Sequence, residues 1–230
     1  MDRQKYTIAL LGGTGAEGSG IALRLARAGH RVIIGSRDAD KAARACSELA
    51  GLAPGAALSH DANPEAAAAA QIVIMTVPHA GQQKTVQEVR EQLAGKILVD
   101  ATVPLVPPKV ARVQLPEGGS AVAAVQRLLG DAVRVVSAFQ NVSAHHLRDL
   151  AHVPDCDVLV CGDDPEARET VVGLAADMGL RAWHAGAIAN SAATEALTSL
   201  LIAMNMRYKV PGGTGIRITG LEETAEARRT

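Results

Sequence analysis

The run Thr7-Ile8-Ala9-Leu10-Leu11-Gly12-Gly13-Thr14-Gly15-Ala16-Glu17-Gly18, close to the start of a 230-residue chain, decides the fold. Its first five residues are aliphatic or β-branched, the composition of a buried strand, and the residues after Gly18 carry helical periodicity. Gly13, Gly15 and Gly18 fill a G-x-G-x-x-G template: a tight turn, a bare backbone that pyrophosphate can approach, and close packing of helix on strand. The helix start supplies free N–H groups and the positive end of its dipole to the phosphates. Working outward, the next strand pattern ends in Gly35-Ser36-Arg37, with Lys41 one helical turn later. Sites for NAD carry a carboxylate at that strand end for the ribose 2′-OH. Here a hydroxyl, a guanidinium and an ammonium stand where a 2′-phosphate would lie, which predicts NADP. Cations at a helix start oppose its dipole, so stability alone does not account for them.

The same alternation continues to residue 206. Strand-like runs fall at Tyr6–Leu11, Arg31–Gly35, Ala57–Ser59, Gln71–Val77, Lys96–Asp100, Ala132–Ser137, Asp157–Cys161 and Arg181–Ala185. Helical stretches fall near Ala16–Ala28, Asp38–Leu52, Glu65–Ala70, Gln82–Leu93, Val122–Leu129, Ala144–Leu150, Glu166–Met178 and Ala189–Met206. Gly29 is placed to end the first helix in a left-handed conformation. Asn63-Pro64 and Asp164-Pro165 read as capping side chains ahead of a proline in the first turn. Unbroken apolar strands such as Ile72-Val73-Ile74-Met75 suit a sheet covered on both faces. The expectation is an α/β, Rossmann-type, doubly wound parallel sheet with a small C-terminal α/β lobe. Residues 1–143 form the NADP-binding part, 144–220 the lobe, and 221–230 a charged, disordered tail. The Pro- and Gly-rich stretch 101–120 reads as a long loop leaving the carboxyl edge of the sheet, where such folds bind ligands.

Composition removes other classes. A net charge of -1 offers no field for a nucleic-acid backbone, and 2% aromatics leave few stacking platforms. The apolar runs are too short to span a bilayer, and no signal peptide is visible. Three cysteines without a close pair fit free thiols in a reducing cytoplasm.

With these residues in view, the sequence resembles the F420-dependent NADP oxidoreductases from about Thr7 to Gly220. The likeness rests on Ala9-Leu10-Leu11-Gly12-Gly13-Thr14-Gly15, Gly29-His30 through Gly35-Ser36-Arg37 to Lys41, Thr76-Val77-Pro78 and Val103-Pro104. Val160-Cys161-Gly162-Asp163-Asp164, and Asn190-Ser191 with Glu195-Ala196-Leu197-Thr198, extend it. It implies hydride transfer between NADPH and the deazaflavin coenzyme F420, in a cytoplasmic homodimer. By the resemblance, Thr14, Gly15, Ala16, Glu17, Ser36, Arg37 and Lys41 hold NADP, and Val77, His79, Val103 and Ala144 line the path to the nicotinamide. Gln140, Val142 and Thr198 meet the deazaflavin. Gln140 stands where archaeal members carry His, and Ser143 where they carry Pro; a Gln still donates and accepts hydrogen bonds. No side chain is assigned a catalytic role, because hydride passes directly between two aligned cofactors.

Other features carry less. His145-His146 point about 100° apart on a helix and do not suit one metal ion. Trp183 is expected in the core, and Phe139 as a wall of the cofactor cleft. The run Pro211-Gly212-Gly213-Thr214-Gly215 is a turn, or a presenter of amides, Arg207 and Lys209 to an acidic cofactor tail. Two further readings stay open: an NADP-dependent reductase of a small carbonyl or imine, and an NADP-sensing protein without turnover. Tyr6 and Tyr208 are the only tyrosines, and neither stands four residues before a lysine, which removes the short-chain reductases.

Overall fold

The computed structural model describes residues 4–221. Its strands are β1 (Thr7–Leu11), β2 (Arg31–Ser36), β3 (Leu58–Ala62), β4 (Ile72–Met75), β5 (Ile97–Asp100), β6 (Arg134–Ser137), β7 (Asp157–Gly162) and β8 (Arg181–His184). The helices are α1 (Ala16–Arg27), α2 (Ala39–Leu52), α3 (Asn63–Ala69), α4 (His79–Glu88), α5 (Ala121–Leu129), α6 (Ala144–Arg148), α7 (Pro165–Asp177) and α8 (Ser191–Tyr208). Every expected element is present within a few residues. The fourth helix starts earlier than its pattern suggested, at His79, because Pro78 takes the position before it.

The strands form one eight-stranded sheet in the order β3-β2-β1-β4-β5-β6-β7-β8. The order reverses between β1 and β4, so the crevice of a doubly wound sheet opens there. Side chains alternate across β1: Ile8 and Leu10 pack with α1, α2 and α7, while Ala9 and Leu11 pack with α3, α4 and α5. The expected all-parallel sheet needs one correction, since β7 runs antiparallel to β6. The link between them holds only the five-residue α6, about 7.5 Å of helix, too short to carry the chain back along a strand.

Two buried features seat α6 beside the start of α1. A Cβ on Gly20 would come within 2.6 Å of Leu147 Cβ, so only glycine lets the two helices meet this closely. Arg24, 8% exposed, donates from Nε to Leu147 O (2.8 Å) and from Nη2 to His146, Asp149 and His152 carbonyls at 2.7–2.9 Å, with Nη1 on Met178 O (3.2 Å). One guanidinium thereby holds the turn after α6 and the end of α7.

Helix ends follow the expected signals with one exception. Gly29 takes φ +92°, and Asp164 accepts from Ala167 N–H at 2.7 Å. Asn63 does not cap α3; the helix begins at Asn63 itself, with Ala62 before it and no side-chain cap. Trp183 is half-buried on the edge strand, not in the core; its Nε1 donates to Asp157 Oδ2 at 3.0 Å. Phe139 is core, 1% exposed, with φ 76° in the left-handed region. The three cysteines are free and buried. Of the expected tail, residues 222–230 lie outside the described residues.

Candidate active site

A cleft of about 660 Å³ opens at the carboxyl edge over the β1–β4 switch, a volume suited to a dinucleotide. Its floor is the glycine loop, and the three template glycines divide the work. A Cβ on Gly13 would meet Leu10 O at 2.8 Å, and one on Gly18 would meet Thr76 Oγ1 at 2.5 Å and Gly12 O at 2.7 Å. Gly13 therefore closes the turn, and Gly18 seats α1 against β1 and β4. Gly15 differs: only Gly12 O, at 3.3 Å, lies near its absent Cβ, and the residue is exposed to the cleft. The first amide of α1 bonded to the chain is Ser19 N–H, on Gly15 O at 2.9 Å. By the geometry of a helix start, the N–H groups of Ala16, Glu17 and Gly18 have no helical acceptor. Together with Thr14 they form an anion-binding rim.

At the β2 end, Ser36 is nearly buried and its Oγ accepts from Asp38 N–H at 3.1 Å, which fixes the turn into α2. Arg37 lines the cleft, exposed, with no side-chain partner among the described residues. Lys41 stands apart from the cleft wall, its Nζ 3.8 Å from Asp38 Oδ2. Asn63 lines the same end, 3% exposed, with Oδ1 buried and unpartnered. Its position before a proline marked it as a cap; its Oδ1 instead lies over Gly35 at the end of β2. An unused guanidinium and a bare glycine floor fit a 2′-phosphorylated dinucleotide.

Toward β5 the wall passes through Thr76, Val77 and Pro78 to Gly81 and Thr85 of α4. His79 is half-buried behind this wall, with Nδ1 unpartnered. Asp100, the last residue of β5, is fully buried; Oδ2 accepts from Gln82 Nε2 (2.7 Å) and Oδ1 from Thr102 N–H (2.9 Å). Burial raises its pKa, against the bonds from Thr102 and Gln82 and the pull of His79. Glu17 lines the cleft from α1, and burial, then the Asp100 carboxylate, pushes it up to about 8. The sequence reading assigned Glu17 only a binding position and passed over Asp100.

Val103, half-buried, follows β5 into the long loop, and Ala144 begins α6. Gln140 and Val142 are buried, at 6% and 8% exposure. Gln140 turns inward, Nε2 donating to Asp100 O and to Ser137 Oγ, both at 2.8 Å, while Oε1 has no partner. Phe139 explains the direction, since its left-handed turn is closed by Val142 N–H on Phe139 O at 3.1 Å. Thr198 of α8 donates to Gln140 O (2.9 Å) and accepts from Asn141 Nδ2 (3.1 Å). The segment 139–142 and α8, expected to face each other across a cleft, are joined in a hydrogen-bonded seam.

Glu195, 1% exposed on the same helix, accepts from Ser120 Oγ (2.6 Å), Ala121 N–H (2.8 Å) and Val122 N–H (3.1 Å). It caps α5 and fixes the far end of loop 101–120; burial raises its pKa, and those three bonds oppose the rise. The Gly-rich turn 211–215 packs away from the cleft, on Ser143, His146 and Cys156. His146 Nδ1 meets His152 Nε2 at 2.5 Å, and no group of three metal-ligating side chains occurs among the described residues.

Comparison with known proteins places this site in a family. Residues 7–104 match the family described as NADP oxidoreductase coenzyme F420-dependent. An F420-dependent NADP reductase of Methanothermobacter thermautotrophicus is 42% identical over 223 residues, covering 94% of this chain and 96% of the relative. The chain belongs to the F420-dependent NADP reductase family. A second such reductase, from Methanocaldococcus jannaschii, is also 42% identical, over 94% of this chain and 99% of its own length. A solved structure assigned to the same reductases, from Arthrobacter sp. FB24, superposes with a TM-score of 0.77 at 26% identity, covering 93% and 99% of the two chains. The relatives it matches are oxidoreductases, and the mostly parallel α/β fold found here is shared with that solved structure. No described helix is long and apolar enough to cross a membrane.

Proposed function

We propose that this protein transfers hydride between NADPH and the deazaflavin coenzyme F420. The observation that carries the reading is one continuous cleft. It has an unpaired Arg37 at its ribose end, a glycine floor beneath the pyrophosphate, and its far end at Val77, Pro78 and Gly81, between β4 and α4. Thr14 to Glu17 hold the pyrophosphate through backbone N–H groups, and Ser36 and Arg37 grip the 2′-phosphate. Lys41 swings from Asp38 to the same phosphate, a short move for an exposed ammonium on a flexible stem. Val77, His79, Val103 and Ala144 shape the nicotinamide end.

The deazaflavin lies against the outer side of the seam, where half-buried Thr198 meets it, while buried Gln140 and Val142 set its position from behind by fixing the shape of the seam. When bound, NADPH would supply the hydride that the deazaflavin accepts, with the accompanying proton taken from solvent. The chain's task is alignment and exclusion of water. Residues 1–143 act as the NADP-binding part and 144–220 as the lobe that completes the second site. Leu200, Met204 and Tyr208, four residues apart, leave an exposed apolar stripe on α8, which supports a homodimer through that helix. A cytoplasmic location accords with three free, buried thiols.

The test is steady-state reduction of F420 by NADPH beside direct NADPH titration. Thr198→Ala is expected to raise the KM for the deazaflavin several-fold while the NADPH Kd stays within twofold, about 0.4 kcal/mol. Equal effects on both would move the deazaflavin site elsewhere.

A further inference from the structure

Glu17 occupies an unusual place for a carboxyl group. It stands in the first turn of α1, inside the rim offered to a pyrophosphate, with no cation or hydrogen-bond donor paired to it among the described residues. An ionised carboxylate there would repel the phosphates it borders. It lines the cleft with Thr76 and Val77 at the end of β4, and its neighbour Gly18 packs on Thr76, while Arg37 stands at the β2 end. A dinucleotide laid across this crevice with its 2′-phosphate at β2 sets its nicotinamide half on the β4 side, and that half is the part that changes charge in the reaction. NADP and NADPH are identical along the rest of their length; only the nicotinamide ring is cationic in one and neutral in the other.

The geometry points to Glu17 as the residue that reads the redox state of the nicotinamide: neutral beside NADPH, it gives up its proton to solvent when the cationic ring of NADP+ occupies the cleft. This rests on the NADP reading above. The proton balance is one carboxyl proton released to buffer per NADP+ bound and none per NADPH. Charged and titratable groups around it come from four other elements. Asp100 faces it from β5, His79 and Glu195 face Asp100 from α4 and α8, and Arg37 stands at the far end of β2. Asp100 already accepts two hydrogen bonds and has no exposed surface, so Glu17 is the carboxyl that borders the cleft. An opposite charge within about 4–6 Å lowers a carboxyl by roughly 1–3 pH units. Linkage then strengthens NADP+ relative to NADPH by roughly five- to fiftyfold between about pH 6 and pH 8.

The experiment titrates the full chain with NADP+, NADPH and 2′,5′-ADP by calorimetry at several pH values, each in two buffers of different ionisation heat. The 2′-phosphate and pyrophosphate titrate alike in both dinucleotides, so the ratio of the two Kd values isolates the ring. Expected are a proton release with NADP+ in excess of that with NADPH and a Kd ratio that moves with pH. In Glu17→Gln and Glu17→Leu the excess is lost and the ratio is flat, with 2′,5′-ADP still bound as evidence of an intact fold. His79→Asn is the parallel variant. Persistence of the pH-dependent ratio in both Glu17 variants, or its loss in His79→Asn alone, overturns the inference. Failure of the parent to bind either 2′,5′-ADP or NADPH has a different signature, and removes the dinucleotide reading along with it.

Discussion

Arg37→Ala isolates the choice between NADP and NAD. The guanidinium is exposed and has no side-chain partner among the described residues, so its removal leaves nothing buried unpaired and unfolding should shift by less than about 0.5 kcal/mol. In the complex it meets a dianion, and a hydrogen bond to a charged group is worth about 1.5–3 kcal/mol. Solvent reaches this end of the cleft, which places the loss in the lower half of that range, about 1.5–2 kcal/mol or ten- to thirtyfold in Kd. Ser36 and Lys41 remain, so binding weakens without vanishing. NADH, which lacks the phosphate, loses at most twofold, about 0.4 kcal/mol. Fluorescence titration of NADPH and NADH against parent and variant measures both, and thermal unfolding checks the fold. Equal weakening of the two nucleotides would refute the reasoning, as would an unchanged NADPH affinity.

Substitutions at four other positions follow from the same geometry. Gly15→Val should fold normally, because only Gly12 O lies near its Cβ, yet lose NADPH binding; Gly18→Ala should instead lower the unfolding temperature, since its Cβ meets Thr76 Oγ1 and Gly12 O. A Gly15→Val protein that is folded by circular dichroism and binds NADPH as the parent does would remove the loop from the site. Glu195→Ala leaves the Ala121 and Val122 amides unpaired and should cost about 2–4 kcal/mol in chemical denaturation, with Glu195→Gln recovering part of it. The raised Glu17 carboxyl makes the folded state hold a proton that the unfolded chain releases, so its contribution is full below pH 4.5 and lost as pH rises through about 8. Glu17→Gln should therefore match the parent's melting temperature near pH 4.5 and exceed it increasingly toward pH 8; a constant difference across that window would contradict the shift.

The features legible in the sequence are those made by neighbours in the chain. Gly13, Gly15 and Gly18 carry their roles in their spacing, and Arg37 is informative because a strand end fixes where it must stand. The alternation of strand and helix placed all sixteen elements for the same reason. What escaped depends on distant partners. Glu195 caps a helix 74 residues away, and Arg24 bonds carbonyls more than 120 residues on, so no local pattern announces either. Asn63 looked like a cap because Asn-Pro usually is one; the helix instead begins at Asn63 itself, whose Oδ1 packs over Gly35 at the end of β2. Gln140 was expected to face a coenzyme, and the left-handed backbone at Phe139, which sequence does not reveal for a bulky residue, turns it inward. The antiparallel β7 depended on the length of a helix, and helix ends are the least legible part of a sequence.

The most direct test of the account is turnover of the purified chain with NADPH and oxidised F420, run beside parallel reactions with a free flavin and with no acceptor. Stoichiometric loss of NADPH and of oxidised deazaflavin, far above the flavin reaction and absent without acceptor, is the predicted result. NADPH bound tightly but not oxidised by F420 would contradict it, and would leave the cleft as a nucleotide sensor or as the site of a different reductase.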